Sequence, residues 1–445
     1  MRALWPSLSF LVASCASVPP PAPAPSQIAQ QFDLIVRGGT IVDGSGGQPF
    51  TGDVGISGDR IVAVAPHLDG MATRTIDATG LAVAPGFVNM LSWANDSLIE
   101  DGAGESDIRQ GVTLEVMGEG DSEGPYNDEL IAIAKASGGP AEIYHMKQAG
   151  TGNWDKQKPM IDRIEAARAQ GIRITADMYT YTAGATGLDA AMPPWVRAGG
   201  YDQWRKRLLD PVLRKKVVAE MKRRPVGWDS FYFQAGSPDK VLFLQFKNPA
   251  LKKYTGMTLT EVAKARGTSP EDAAIDLVIE DGTRVGTAYF LMSEDNVARQ
   301  TALPWMSFGS DAGSQAPRGK FLLSSVHPRT YGTFARLLGK YVRDEHRLSL
   351  AEAVRKLSYQ PTSNLGITDR GLIRPGMHAD LAIFDPAKIA DTATYDKPQQ
   401  FAVGMRDVLV NGQPVLLDGE MTPARPGRAV TGPGTGTGTG RCPPK

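Results

Sequence analysis

Two β-rich segments stand at opposite ends of the chain and enclose a longer segment of a different pattern. Residues 33–65 (DLIVRGGTIVDGSGGQPFTGDVGISGDRIVAVA) are short β-type runs broken by glycine-rich turn signals, which is typical of an antiparallel meander. HADLAIFDP at 378–386 predicts another strand, and DVLVNGQPVLLDGEM at 407–421 predicts a hairpin that turns at Asn411-Gly412. Because these segments flank a body of another type, we expect one small β-sandwich assembled from both chain ends.

Between the two ends, apolar strand-like runs alternate with amphipathic helical runs such as MIDRIEAARAQG and SPEDAAIDLVIED. Strands spaced by helices in this way indicate βα units and a parallel sheet, most often a closed barrel. The section at about 190–260 breaks the alternation, and we predict an insertion there with its own short strands, SFYFQA and VLFLQF. The six barrel-type runs are LAVAPGFVNM, GVTLEVMG, AEIYHMK, IRITADMYTY, GTAYFLM and WMSFGSD.

The predicted fold class is therefore α/β, a TIM-like (β/α) barrel with a composite β-sandwich. The sandwich takes residues 28–86 and 372–425, and the barrel takes residues 87–371. Residues 1–27 read as a signal and linker, and residues 426–445, which end in TGPGTGTGTGRCPPK, as a disordered low-complexity tail.

The composition argues against several classes of protein. Lys+Arg and Asp+Glu both total 48, so no basic field exists to hold nucleic acid, and we expect no such partner. Only two cysteines occur, Cys15 and Cys442, which argues against a disulfide framework and a cysteine-built zinc site. The five histidines are His67, His145, His327, His346 and His378, few for a histidine-rich metal cluster.

The first residues, MRALWPSLSFLVASCASVPPPAPAPSQ, combine a positive start, a short apolar stretch and small residues, which is typical of a secretory signal. Val12-Ala13-Ser14-Cys15 also resembles the bacterial lipobox, in which the cysteine becomes a lipid-bearing N-terminus. The alternative is an ordinary signal cleaved nearby, with Cys15 discarded. We favour the lipobox, because the Pro/Ala-rich run that follows suits a tether. The expected location is the periplasm or cell envelope, with a lipid anchor to a membrane at Cys15.

Replacing the lipobox cysteine tests this location. In Cys15→Ser we expect the protein to leave the membrane fraction and to lose incorporated radioactive fatty acid, because the serine hydroxyl cannot carry the thioether-linked anchor. Cys442→Ser, which removes the other cysteine, should keep both. Equal labelling of the Cys15→Ser variant and the unaltered protein would contradict the lipobox.

Several longer motifs resemble one known family. DLIVRGGTIVDGSG, GDRIVAVAP, APGFVN, RPGMHADLAIFDP and VLVNGQPVL are similar to the composite β-sandwich of the amidohydrolase superfamily. Within it, AEIYHMKQAGTGNW, ITADMYTYTAGATGL, AYFLMSEDNV, FGSDAG and HPRTYGTFARLLGKYVR resemble the N-acyl-D-amino-acid deacylases, or D-aminoacylases. The resemblance implies a metal-dependent hydrolase barrel, in which zinc-bound hydroxide attacks an amide carbonyl and a carboxylate shuttles the proton.

The resemblance assigns roles to particular residues. Asp311 in FGSDAG matches the proton-shuttling carboxylate; the alternative is a turn residue. His145 matches a zinc ligand, at the end of a strand whose alternation puts it on the side of Ile143. Lys147, two residues on, and Tyr179 match positions that bind the substrate carboxylate; their alternatives are a solvated lysine and an interface aromatic. His327 matches a loop near the pocket, with a weaker claim to chemistry.

The sequence also departs from the family pattern. The superfamily ends its first barrel strand in His-x-His, where this chain has Leu91 and Trp93; neither binds a cation, and we expect Trp93 to line the pocket as an apolar wall. The family cysteine ligand of the second strand is replaced by Gly120, beside Glu119. Glu119 is a candidate zinc ligand, or simply an acidic loop residue. His145, Asp311 and Glu119 would then surround one zinc ion.

A further departure lies between GPYNDELIAIAK and AEIYHMK, where two βα units of the family, one with a Ser-His-x-Arg ligand motif, are missing. Six barrel-type strands are present where eight close a barrel, so either the barrel is incomplete or strands of the insertion cover the open edge. The expected function is hydrolysis of the amide of small N-acyl-D-amino acids. The alternatives are an inactive envelope lipoprotein that keeps the fold as a scaffold or binding surface, and a hydrolase of another amide such as a dihydropyrimidine.

Overall fold

The structure is a computed structural model, and it describes residues 30–118 and 127–431. Its strands are β1 (Gln30–Ile41), β2 (Phe50–Ser57), β3 (Arg60–Ala65), β4 (Gly70–Asp77), β5 (Ala82–Pro85), β6 (Phe87–Ser92), β7 (Val112–Met117), β8 (Ala141–Ile143), β9 (Ile174–Met178), β10 (Ala183–Gly187), β11 (Val241–Gln245), β12 (Gly286–Phe290), β13 (Met306–Phe308), β14 (Leu381–Phe384), β15 (Met405–Val410), β16 (Gln413–Leu417) and β17 (Glu420–Met421).

Several helices begin at a Ser, Thr or Asp whose side chain caps the first turn. Ser349 caps one helix by accepting the amide of Glu352 over 3.1 Å, as the serine-to-glutamate spacing predicts. The helices are α1 (Asn95–Glu100), α2 (Glu105–Ile108), α3 (Asn127–Ser137), α4 (Gln157–Ala169), α5 (Pro194–Arg197), α6 (Tyr201–Leu209), α7 (Pro211–Met221), α8 (Phe231–Ala235), α9 (Leu259–Arg266), α10 (Pro270–Asp281), α11 (Glu294–Thr301), α12 (Arg329–Arg336), α13 (Leu350–Leu357) and α14 (Tyr359–Asn364). None of the helices in the described ranges is long and apolar enough to cross a membrane.

Strands from both chain ends lie in one sheet. Within the described residues this sheet has nine strands in the order β17-β16-β15-β14-β5-β1-β2-β3, with β4 paired to β1. The seam between the two ends is the antiparallel pairing of β5 with β14. Buried aliphatic side chains of both ends, among them Ile41, Val83 and Leu381, pack into one apolar cluster against it.

A second group of strands runs parallel and places the candidate site at its carboxyl end. β6 pairs with β7, and β9 pairs with β8 on one side and β13 on the other. Two backbone hydrogen bonds join the β6–β7 pair to the β13-β9-β8 sheet. The amide of Asp311 donates to the carbonyl of Leu91 over 2.8 Å, and the amide of Trp93 donates to the carbonyl of Ala312 over 3.0 Å. The resulting order is β7-β6-β13-β9-β8, and buried side chains of these strands and of the surrounding helices form the largest apolar cluster.

Two strand predictions were wrong. GTAYFLM was expected among the barrel strands, but it forms β12, whose two edges are taken by antiparallel pairing with β10 and β11. SFYFQA was expected to be a strand of the insertion, but it forms α8. The Ser230 hydroxyl caps that helix by accepting the amide of Phe233, and left-handed Gly236 ends it. VLFLQF forms β11 as predicted.

Lys356 of α13 is an unusual core residue, since its side chain is fully buried. Its Nζ donates to the carbonyl oxygen of Thr301, the last residue of α11, over 2.7 Å. Burial lowers the pKa of Lys356 to about 8, because the ammonium loses its hydration and gains one hydrogen bond in exchange.

We therefore expect the free energy of unfolding to rise as pH rises from about 8 to 10.5. In this window the unfolded chain keeps the Lys356 proton that the folded protein has released, so rising pH favours folding. The full shift corresponds to about 3 kcal/mol. Lys356→Met should lose this rise, whereas Lys158→Met, at a lysine whose side chain is 76% exposed, should keep it. Urea unfolding at neutral and alkaline pH measures both; an unchanged slope in Lys356→Met would assign the rise to other groups.

Candidate active site

Asp311 lies just past β13, at the carboxyl end of the parallel strands, as the sequence predicts. Its φ is 49°, a left-handed conformation that is uncommon outside glycine and that the surrounding structure must hold in place. Ser310 beside it is fixed from β6, because the Asn89 side chain accepts the Ser310 amide over 2.8 Å and donates to the Ser310 hydroxyl over 2.8 Å. The position of the Asp311 carboxylate is thus set by two neighbouring strands.

Both carboxylate oxygens of Asp311 face a donor. The indole Nε1 of Trp93 donates to Oδ1 over 3.0 Å, and Nη1 of Arg329 lies 2.7 Å from Oδ2. The second contact is an ion pair whose angle does not make a directed hydrogen bond. The expectation that Trp93 forms an apolar wall was wrong: its ring is half-exposed and its N–H faces the carboxylate.

Arg329 is a site residue that the sequence reasoning missed. It is the first residue of α12 and is buried. Within the described residues, its Nε and Nη1 have no hydrogen-bond partner, so the guanidinium keeps donors for an anion. The signal in the sequence was His327-Pro328-Arg329, of which only the histidine was considered.

His327 holds Arg329 in place. Its Nδ1 accepts the Arg329 amide over 3.0 Å, and its Nε2 lies 3.0 Å from the carbonyl oxygen of Ala183. Because a carbonyl only accepts, Nε2 carries the proton and the ring is neutral. Burial, and next the Arg329 charge, set the pKa of His327 well below its usual value. In this structure His327 therefore orients Arg329 at the start of α12.

Tyr179 lies close to two cations. The Arg329 guanidinium carbon is 4.5 Å from the Tyr179 ring centroid, and Lys147 Nζ is 5.2 Å from it, both within cation–π range. The Tyr179 hydroxyl is buried and has no hydrogen-bond partner in the described ranges. Burial raises the pKa of Tyr179, which keeps the hydroxyl protonated and available as a donor. Lys147 and Tyr179, predicted as a pair, are indeed neighbours.

His145 does not lie on a strand, so the prediction that strand alternation places it on the side of Ile143 was wrong. β8 ends at Ile143, and His145 lies in the following turn with a φ of 36°, so the alternation of side chains along a strand does not reach it or Lys147. Its amide donates to Oδ1 of Asp177 over 2.9 Å, and its ring packs edge-on against Tyr144 at 4.4 Å. This hydrogen bond to Asp177 of β9 holds the turn in place.

Asp177 is the second residue that the sequence reasoning missed. It is buried, and its Oδ2 has no hydrogen-bond partner within the described part of the chain. Burial and then the Glu142 charge raise its pKa well above the usual value, Asp311 adds to the rise and Lys147 opposes it. Asp177 therefore lies close enough to Asp311 and Lys147, two of the predicted site residues, to interact with their charges. An acidic residue in the buried run ITADM was the available signal.

The described residues do not fit a zinc site. In residues 30–118 and 127–431, no group of three or more His, Cys, Asp or Glu side chains could hold a metal ion. Asp311 already faces the donors of Trp93 and Arg329. Glu119, the other predicted ligand, lies outside the described residues, as does the lipobox at Cys15.

Comparison with known proteins agrees with the resemblance seen in the sequence. Residues 273–416 match the model of the amidohydrolase family. A D-aminoacylase of Alcaligenes xylosoxydans xylosoxydans is 30% identical over 90% of this chain and 98% of the relative. An N-acyl-D-aspartate deacylase of the same organism is 27% identical over 90% of this chain and 95% of the relative.

Solved structures show the same fold. A D-aminoacylase crystal structure covers 88% of this chain and 98% of its own, with a TM-score of 0.69 and 23% identity. An N-acyl-D-glutamate deacylase of Bordetella bronchiseptica, solved with zinc and a phosphonate inhibitor, covers 87% of this chain and 97% of its own, with a TM-score of 0.68 and 21% identity. From its identity with the Alcaligenes enzyme over nearly the full length of both, the chain belongs to the D-aminoacylase family of amidohydrolases.

Proposed function

We propose that the protein is a hydrolase that removes the acyl group from N-acyl-D-amino acids. The observation that carries the proposal is the pair of cations, Arg329 and Lys147, close to the Tyr179 ring, of which Arg329 also pairs with the Asp311 carboxylate. The two cations can bind an anion, and the Asp311 carboxylate beside Arg329 can transfer a proton. An N-acyl amino acid needs both, one for its carboxylate and one for its amide.

The carboxylate of the substrate binds to Arg329, Lys147 and the Tyr179 hydroxyl. Arg329 has unused donors and a planar fork that suits a carboxylate. Its burial strengthens the attraction, because little water screens the charges. When the substrate carboxylate arrives, Arg329 contacts that anion and its ion pair with Oδ2 of Asp311 loosens.

Asp311 then moves the proton. Its freed Oδ2 accepts a proton from water as the oxygen adds to the acyl carbon, and the same carboxyl gives that proton to the amide nitrogen as the carbon–nitrogen bond breaks. The products are a carboxylic acid and the free amino acid. Trp93 keeps its hydrogen bond to Oδ1 throughout.

A zinc ion belongs to this proposal only as a prediction from the sequence, with His145 and Glu119 as its ligands. A zinc-bound relative of known structure supports it, while the described residues do not fit a metal, so no step above passes through one. Metal analysis of the purified protein, before and after dialysis against zinc, tests it directly.

The shortened connection between β7 and β8 is also part of the proposal. In the described part of the chain each of these strands has one parallel neighbour, β6 or β9. We infer that two βα units of the family barrel are missing at this point, between residues 118 and 141. Export and a lipid anchor at Cys15 complete the proposal and are tested by the cysteine substitution given above.

The deciding experiment is a hydrolysis assay of the purified protein with N-acetyl-D-amino acids, their L-enantiomers and dihydrouracil, with and without added zinc. Release of free D-amino acid supports the proposal. Turnover of dihydrouracil alone would assign another amide substrate.

One observation favours a second candidate, the inactive scaffold. In this structure both oxygens of the Asp311 carboxylate already have partners, an ion pair with Arg329 and a hydrogen bond from Trp93. Binding without turnover, seen by calorimetry with an N-acetyl-D-amino acid, would select this candidate.

A further inference from the structure

Trp93 and Asp311 are connected by their backbones. The Trp93 amide donates to the carbonyl of Ala312 over 3.0 Å, and the Asp311 amide donates to the carbonyl of Leu91 over 2.8 Å. Trp93 directly follows the carboxyl end of β6, and Asp311 lies three residues past the end of β13. These two bonds fix the indole and the carboxylate as neighbours before any side-chain contact is considered.

The side chain of Trp93 then makes a directed contact. Its Nε1 donates to Oδ1 of Asp311 over 3.0 Å, while the residue as a whole is 49% exposed. Core packing therefore does not explain the ring's position, since a large aromatic side chain left half in water gains only part of its burial energy. The hydrogen bond to a charged oxygen is the interaction that orients it.

The orientation of the Asp311 carboxylate depends on the hydrogen bond from Trp93. The Asp311 backbone is held in a left-handed conformation, and its other oxygen faces Arg329, which the proposed reaction needs for the substrate. Once Arg329 turns to the substrate, the indole N–H is the donor that still fixes the rotation of the carboxylate. Without it, Oδ2 would swing away from the water and amide nitrogen that it must reach.

We propose that Trp93 is a positioning residue for Asp311, holding Oδ1 so that Oδ2 faces the reacting groups. Its effect on rate rests on the proposed deacylase function, whereas the contact itself does not. The experiment therefore has one readout that needs turnover and one that does not.

The readout without turnover is the indole N–H signal in NMR spectra of protein labelled with ¹⁵N-tryptophan. Trp93→Phe identifies the signal by its loss, and Trp228→Phe, in the insertion, is the matched control. In Asp311→Ala we expect the Trp93 signal to shift and its exchange with water to become faster, while the other indole signals stay in place. An unmoved Trp93 signal in Asp311→Ala would overturn the proposal.

The second readout is kinetic. Trp93→Phe keeps the ring and removes the donor, so we expect kcat to fall roughly tenfold, the scale of one hydrogen bond to a charged group. KM should stay within about twofold, because the substrate carboxylate does not contact Trp93. Trp93→Gln, which restores an N–H donor, should recover part of kcat. A loss that falls on KM, or an unchanged kcat in Trp93→Phe, would also overturn the proposal; no turnover in the unaltered protein would instead reject the deacylase function and leave the NMR result to decide.

Discussion

Asp311→Asn is expected to lower kcat by roughly 10²–10⁴, the scale of a lost general acid–base group. The amide has the shape of the carboxylate but cannot accept the proton of the attacking water. It can also keep the Trp93 hydrogen bond through its oxygen, so the fold should be little changed. Steady-state kinetics with the best N-acetyl-D-amino acid, together with thermal unfolding, measure both effects.

The matched control for this variant is Asp418→Asn. Asp418 also has a left-handed backbone, with a φ of 51°, and it lies in the turn between β16 and β17, in the sheet formed by the chain ends. Replacing it should leave kcat unaltered. If Asp311→Asn turned over substrate at a rate close to that of the unaltered protein, another group would have to move the proton.

Arg329→Met is expected to raise KM by roughly 10- to 100-fold. The variant removes charge-assisted hydrogen bonds to the substrate carboxylate, each worth about 1.5–3 kcal/mol. Methionine fills much of the space over the Tyr179 ring, so loss of packing is small. The effect should depend on the substrate: an analogue with a carboxamide in place of the carboxylate should bind weakly to the unaltered protein and equally weakly to the variant.

Arg343→Met controls for the loss of a positive charge, because Arg343 pairs with Asp344 away from the site. Its KM should equal that of the unaltered protein. An Arg329→Met variant that discriminated against the carboxamide as strongly as the unaltered protein does would place the carboxylate anchor elsewhere, with Lys147 the first residue to examine.

The sequence predicted the position of the candidate site more accurately than the set of residues that form it. Asp311, Lys147 and Tyr179 come from three different strand ends, and the structure places them in one neighbourhood. The family resemblance supplied these positions, because local pattern alone does not say which strand ends meet. Arg329 was overlooked since it starts a helix, and an arginine there reads as a surface residue until its burial is known.

The errors in the predicted fold have separate physical causes. β12 has the composition of a barrel strand, but β10 and β11 lie close enough to take both of its edges, and pairing partners are set by tertiary structure. His145 belongs to a motif whose strand is short, so the alternation was carried two residues too far. The aromatic run of α8 favours a strand by propensity, yet a serine cap and a terminal glycine decide for a helix.

The seam between β5 and β14 has a consequence for how the protein is made. Ala84 pairs with Ala382, so an early strand receives its neighbour only when nearly the whole chain has left the ribosome. Until then the edge of β5 carries unpaired N–H and C=O groups, which is a template for association with other chains. A chain that stops before Leu381 would keep that edge open, so the late strands protect the early ones from aggregation.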